Sequence, residues 1–397
     1  MKTPVMIALT AALAAMLGTS PAAAQVQFTT LYNFTGEIPT GLALIGGALY
    51  GVTADTACGN VFELRPPAAP GEPWTLSVLY TFAGTPGDTG DACSPAGPLI
   101  RGAKGTLFGL TQSGGANGYG AMYELQPPAS PGAAWAESVA YSFNSEPYEG
   151  AGPLASLLVN GPEGSFYVLC GYADGSLLQL LAPAAPVFTW TGALLSEIGN
   201  GADSLIAAAH GSLYGTTAFG GEAERGSVFQ LAPPRAPGGA WTQTEIYSFN
   251  LAADNPNMLT LASDGTIYGT TYGTVPGWYA GIGEAYALTP PASPGQEWTY
   301  TALRSFPSAH PDTQLVLHNG NLYGALENPE GGAVFELQPP ATPGGAWTTI
   351  FLHQFTNGQV PLDPLIVDQD GTIFGITGSL NSPPPATGTI FKIATGN

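Results

Sequence analysis

An all-β fold, a seven-bladed β-propeller of four-stranded antiparallel blades, is what this sequence predicts. Three observations carry the prediction. One short phrase returns seven times, at spacings of roughly 47 to 59 residues. Each return sits within the same succession of four strand-like runs. The last repeat stops after three of them, and the start of the chain supplies a fourth.

The phrase reads GALYGVTA (47–54), GTLFGLTQ (105–112), GSFYVLCG (164–171), GSLYGTTA (211–218), GTIYGTTY (265–272), GNLYGALE (320–327) and GTIFGITG (371–378). Before it lies an apolar run such as LALI (42–45) or MLTLA (258–262), which predicts strand A. The phrase is strand B. After a loop of variable length, NVFELRPP (60–67), SVFQLAPP (227–234) and AVFELQPP (333–340) predict strand C. Paired prolines cannot donate to a ladder, so they end that strand. A connector follows and leads to tryptophan, as in RAPGGAW (235–241). Strand D then carries LYTF (79–82), AYSF (140–143) or IYSF (246–249). Between strands A and B, Asp264-Gly265 predicts a type I′ hairpin turn with positive φ at both central residues. The phrase glycine, Gly215 for example, is expected to hold the sheet close to its neighbour.

The units span 41–82, 97–143, 152–197, 203–249, 257–306, 313–356 and 364–394. QFTTLYNF (27–34), within 26–34, supplies the strand that the last unit lacks. Closing the ring in this way removes the bare sheet edges of an open stack.

MKTPVMIALTAALAAMLGTSPAAAQ places Lys2 before an apolar stretch, Val5 to Leu17, and a small-residue site at Ala22–Ala24. Residues 1–24 therefore read as a cleaved signal peptide and 25–397 as one propeller domain. The apolar run is short for a membrane anchor, and GTIFKIATGN at the other end has neither a hydrophobic tail nor a sorting signal. An exported, soluble, monomeric protein is expected, secreted or periplasmic and without a transmembrane segment. Export permits disulfides. Cys58 and Cys93 lie in loops and Cys170 inside the phrase, so the expected bridge is Cys58–Cys93, with Cys170 a buried thiol.

Charged residues are only 9% of the chain and the net charge is −20, which argues against nucleic acid or an anionic membrane as partner. The 55 Gly and 37 Pro suit a fold of short strands and many turns.

These repeats resemble the GloVer (Gloeo/Verruco) tandem-repeat family of bacterial exported proteins, whose units run LYSF, then GLI…DGNLYGTT..GG…GTVFKL, then PP and a Trp. GSLYGTTAFGGEAERGSVFQLAPP (211–234) follows that pattern end to end, and the resemblance covers about 25–394. It implies the fold and export, and no assigned reaction. Unit three departs from it, with FYVLCG for LYGTT and LLSEI (194–198) for LYSF, so its blade is expected to be folded but irregular.

With strands ordered A to D from axis to rim, the B–C and D–A loops share the face where length and composition vary, the usual place for function. Trp278, the only tryptophan outside the connectors, stands beside Tyr279 in TYGTVPGWYAGIGEA (271–285). Such a pair can stack on a sugar or anchor a protein. Phe219, Tyr119, Tyr148 and Tyr172 occupy equivalent loops as further ligand-binding candidates. Asp88, Asp91, Glu146, Glu149, Glu222, Glu224, Asp254, Asp312 and Glu327 also gather on this face; a hydrolytic pair or a calcium site is the alternative there, and their scatter over many loops reads as solvated carboxylate.

DQDG (368–371) resembles a metal loop but falls on an A–B turn, where turn chemistry explains it. His210 and His318 fall on A–B turns, His353 on a rim strand and His310 in a D–A loop, so no imidazole-ligated metal site is expected. No cofactor and no catalytic residue is assigned. Arg65, Arg101, Arg225, Arg235, Arg304, Lys104 and Lys392 read as dispersed.

Three functional readings fit this sequence. The favoured one is a non-catalytic binding or scaffold protein at or outside the cell envelope, with an extracellular carbohydrate or surface protein as ligand. The second is a polysaccharide-directed hydrolase or lyase using carboxylates at the propeller mouth. A purely structural envelope role is a third reading.

Overall fold

A computed structural model describes residues 26–54, 58–84, 91–130, 132–144, 152–171, 175–184, 189–199, 201–236, 239–250, 255–273, 282–293, 295–307, 309–311, 313–327, 332–342, 344–356, 358–362, 364–379 and 387–395. The alternating runs pair with their sequence neighbours into seven antiparallel sheets. Blades 1 to 6 cover 38–81, 92–142, 153–197, 202–248, 256–307 and 316–354, each ordered A-B-C-D. Blade 7 combines 359–394 with the N-terminal strand Gln27–Asn33, which pairs antiparallel with Gly388–Ala394. The ring is thus closed between the two ends of the chain. The inner strand of blade 7 is split into Gln359–Pro361 and Ile366–Val367. Among the described residues, no helix is long and apolar enough to cross a membrane.

Strands B and C are buried on both sides, and the outer D strands show one face to solvent, as in Thr75–Thr81. The last aromatic of each D strand turns inward. Phe34, Phe82, Phe143, Phe249, Phe306 and Phe355 are all buried, and in blade 3 Ile198 takes the same place. Its backbone N–H donates to Gly175 O at 2.7 Å, as Phe249 N–H does to Gly226 O at 3.0 Å. Blade 3 therefore forms a complete four-stranded sheet despite its altered phrase.

That alteration has a volume-conserving partner. In six blades the phrase glycine faces an aromatic residue on strand C of the same blade, such as Gly215 opposite Phe229 and Gly269 opposite Tyr286. A Cβ on Gly215 would lie 2.4 Å from Phe229 Cζ. In blade 3 the pair is Val168 opposite Leu178. A larger residue on strand B thus goes with a smaller one on strand C. The glycine makes room for a ring within its own blade, whereas the sequence suggested an approach between blades.

The junctions between blades use a second pairing. At six of the seven junctions a glycine at the start of strand C touches a proline at the start of the next blade, and between blades 3 and 4 Gly175 meets Ala202 instead. A Cβ on Gly226 would meet Pro256 Cδ at 2.5 Å, and Gly388 stands in the same relation to Pro39 across the closure.

The A–B turns split into two chemistries. At Lys104-Gly105, φ is 57° and 84°, the type I′ geometry, and the same holds at Glu163-Gly164, His210-Gly211 and Asn319-Gly320. Asp264-Gly265 was expected to share it and does not: only Gly265 has positive φ. Asp264 instead accepts a hydrogen bond from Thr266 N–H at 2.9 Å, an aspartate-built turn. DQDG does likewise, with Asp368 accepting from Asp370 N–H at 3.0 Å and Thr372 N–H at 2.8 Å.

A disulfide joins Cys58 of blade 1 to Cys93 of blade 2. Cys170 is buried in strand B of blade 3.

Candidate functional site

The architecture offers three places for chemistry: the variable-loop face, the axial channel, and the face carrying the A–B turns and proline connectors. On the first, Phe219 (56% exposed) and Tyr119 (39% exposed) project from B–C loops of blades 4 and 2. Trp278, Tyr279, Tyr148 and Tyr172 lie outside the described residues, as do Asp88, Glu146, Glu149, Asp254 and Asp312.

The described carboxylates of this face are committed or apart. Asp91 accepts from Tyr80 Oη at 3.2 Å and Ala83 N–H at 2.8 Å. Glu222 and Glu224 are exposed in one turn. Glu327 is paired through its backbone with His310 on a neighbouring loop, and burial pushes its carboxyl above the usual range. His310 is buried, stacked on Tyr272 at 4.2 Å, with Nδ1 2.7 Å from the Tyr272 carbonyl. It ties two loops together. His353 stacks on Phe28 at 3.7 Å between the rim strands of blades 6 and 7, while His210 lies in an A–B turn and His318 ends the inner strand of blade 6 just before its turn. No group of three or more metal-ligating side chains occurs among the described residues.

The axial channel encloses about 310 Å³ and receives residues from all seven blades, among them Leu42, Pro98, Leu158, Leu205, Leu259, Gln314 and Leu365. Its wall is apolar, tied by amide and hydroxyl bonds between blades such as Thr40 Oγ1 to Pro95 O at 3.0 Å and Asn257 Nδ2 to Pro311 O at 3.1 Å. Asp203 is the single carboxylate on the described inner strands, and burial raises its pKa.

The third place is a cavity of about 590 Å³ between blades 1 and 2 on the turn-and-connector face. Tyr50 of the first phrase and Trp135 of the second connector line it. So do Arg65, Arg101 and Lys104, which the sequence presented as dispersed. Arg101 closes an inner strand, Lys104 sits in the following turn and Arg65 ends a C strand, so positions 36 and more residues apart converge only when blades 1 and 2 pack. At the cavity wall Glu63 is 4% exposed, and its Oε1 accepts from Tyr50 Oη at 2.6 Å and lies 2.9 Å from Arg65 Nε. Burial first, and then the Glu63 carboxylate, push the Tyr50 hydroxyl up to about 12.

Residues 200–397 match the model of the Gloeobacter/Verrucomicrobia repeat, and that segment holds the phrases of blades 4 to 7. The first half carries further copies of the phrase, in three sheets of the same strand order. The chain belongs to the Gloeobacter/Verrucomicrobia repeat family.

No curated protein matches this repeat protein in sequence. Among solved structures it is similar to a streptogramin B lyase, with 15% identity, TM-score 0.58, and coverage of 94% of this chain and 99% of that one. YCF48 from Cyanidioschyzon merolae gives 12% identity, TM-score 0.55, and coverage of 93% and 99%. A catalytically inactive virginiamycin B lyase from Staphylococcus aureus, with quinupristin, gives 12% identity, TM-score 0.53, and coverage of 93% and 99%. At such identities the likeness is one of fold. In this Gloeobacter/Verrucomicrobia repeat protein the cation-lined cavity is what sequence reasoning missed. The one available signal was that three of the eight Lys and Arg fall within 65–104.

Proposed function

We propose that this propeller is an exported, monomeric, non-catalytic binding protein that works at or outside the cell envelope, with an extracellular carbohydrate or surface protein as ligand. The observation that carries the reading is the axial channel. Glycosidic cleavage uses two carboxyl groups flanking the bond, whereas the residues lining the channel include no carboxylate and the described inner strands carry one, Asp203, outside that lining. Exposed Tyr119 and Phe219 on the variable-loop face supply rigid apolar contact area of the kind that anchors ligands. By their place in the sequence, Trp278 and Tyr279 join them as the residues to substitute first.

The test pairs glycan-array and pull-down binding with assays for reducing ends and unsaturated products on extracellular polysaccharides. The expected result is binding without turnover, reduced in a Trp278→Ala/Tyr279→Ala double variant. Turnover that disappears in Asp203→Asn would replace this reading with a hydrolase or lyase, the activity class of the streptogramin B lyase that shares the fold. Identical binding by wild type and the double variant would remove the site assignment.

A further inference from the structure

The cavity between blades 1 and 2 departs from a packing that five other junctions share. At five junctions the connector tryptophan of one blade packs on the phrase aromatic of the blade before it. Trp74 meets Phe374 at 6.2 Å, Trp190 meets Phe108 at 5.6 Å, Trp241 meets Tyr167 at 6.0 Å, Trp298 meets Tyr214 at 5.8 Å and Trp347 meets Tyr268 at 6.3 Å. At the junction of blades 1 and 2 the corresponding residues, Tyr50 and Trp135, instead line an open space of about 590 Å³.

The charge in that space is as unusual as its shape. A chain of net charge −20 with eight cationic side chains brings three of them to one cavity. Arg65 is committed to the buried Glu63, the only ion pair among the described residues. Arg101 and Lys104 have no carboxylate opposite them there. Three cations against one carboxylate leave a local charge of +2. Apolar surface from Trp135, Ile45 and Leu107 lies alongside.

We propose that this cavity is a binding site for an acidic sugar, a uronate residue at the end of a chain or in a short oligosaccharide. Arg101 and Lys104 hold the carboxylate, and the indole of Trp135 with its aliphatic neighbours takes the C–H face of the ring. The volume suits one or two pyranose units. A long polyanion is disfavoured, because its charge beyond a Debye length of about 8 Å meets the acidic remainder of the protein. The site lies on the face opposite the variable loops and stands or falls independently of binding there.

Isothermal titration of the whole protein tests it, with galacturonate and digalacturonate as probes. Galactose, the methyl ester of galacturonate, inorganic phosphate and sulfate serve as comparators. The variant is Arg101→Gln with Lys104→Asn, asparagine being chosen because position 104 has φ of 57°. Digalacturonate is expected to bind, to weaken with added salt, and to lose at least tenfold in affinity in the double variant. An Arg235→Gln variant should bind as wild type does. The neutral sugar and the ester should show no heat on the unmodified protein, a result that does not depend on how the variant folds. The proposal is overturned if digalacturonate shows no heat, or if the double variant binds it unchanged. It is overturned equally if phosphate or sulfate binds as tightly and is lost with the same substitutions, since that describes a generic anion site.

Discussion

Replacing Gly269 by valine and Tyr286 by leucine would give blade 5 the pair that blade 3 carries as Val168 and Leu178. The two changes should be costly apart and tolerable together. A Cβ at 269 would lie 2.4 Å from Tyr286 Oη and 2.5 Å from Cζ. Ordinary carbon contacts begin near 3.5 Å, so the ring has to move by about 1 Å. Tyr286 is fully buried and touches Phe249 and Tyr300, so it has little room to do so. Overpacking on this scale costs about 3 kcal/mol for Gly269→Val. Tyr286→Leu leaves a cavity but removes a buried hydroxyl that has no partner, for a net cost of about 2 kcal/mol.

Independent effects would sum to about 5 kcal/mol, whereas valine filling the vacated space should hold the double variant near 2 kcal/mol, a coupling of about 3 kcal/mol. At about 2.1 cal/mol/K per residue over about 370 residues, that coupling is worth about 4 °C in Tm. Calorimetry on the four proteins of the cycle reads it directly. Additive shifts in Tm would show that glycine on strand B is not there to admit the ring.

Three further outcomes are expected. The Cys58–Cys93 bridge closes a separation of 35 residues, so a Cys58→Ala/Cys93→Ala variant should lose about 4 kcal/mol by the chain-entropy argument, seen as about 5 °C in Tm without reductant. Tyr123→Phe should leave stability unchanged or raise it by about 1 kcal/mol in urea unfolding, since its buried hydroxyl has no partner and Phe229 fills the same place in blade 4. Stability should also fall as pH rises from about 4.5 to 7. Burial first, and Asp91 second, push the Glu137 carboxyl up to about 7, and burial raises Asp203, Glu245 and Glu327 as well. Carboxyls raised in the folded state stabilise it below their unfolded pKa, and that contribution is lost as pH climbs through the folded value. Tm measured against pH should flatten over this window in Glu137→Gln.

The blade count, the strand order within each blade and the closure by residues 27–33 were legible in the sequence, because each is a local pattern repeated along the chain. An apolar alternation or a proline pair declares a strand or its end without reference to anything distant. The departure of unit three was legible too, though not its remedy: Val168 opposite Leu178 makes sense only once strands B and C are in register. The difference between the turns at Lys104-Gly105 and Asp264-Gly265 depends on whether a side chain captures the backbone, and a dipeptide alone does not state that. Tertiary structure alone decided where the cations go. Arg65 is separated from Arg101 and Lys104 by two strands and a connector in the chain, and the three meet because the C strand of one blade and the first turn of the next share a face of the ring. Blade packing sets that proximity, and it leaves no periodic trace in the residues themselves.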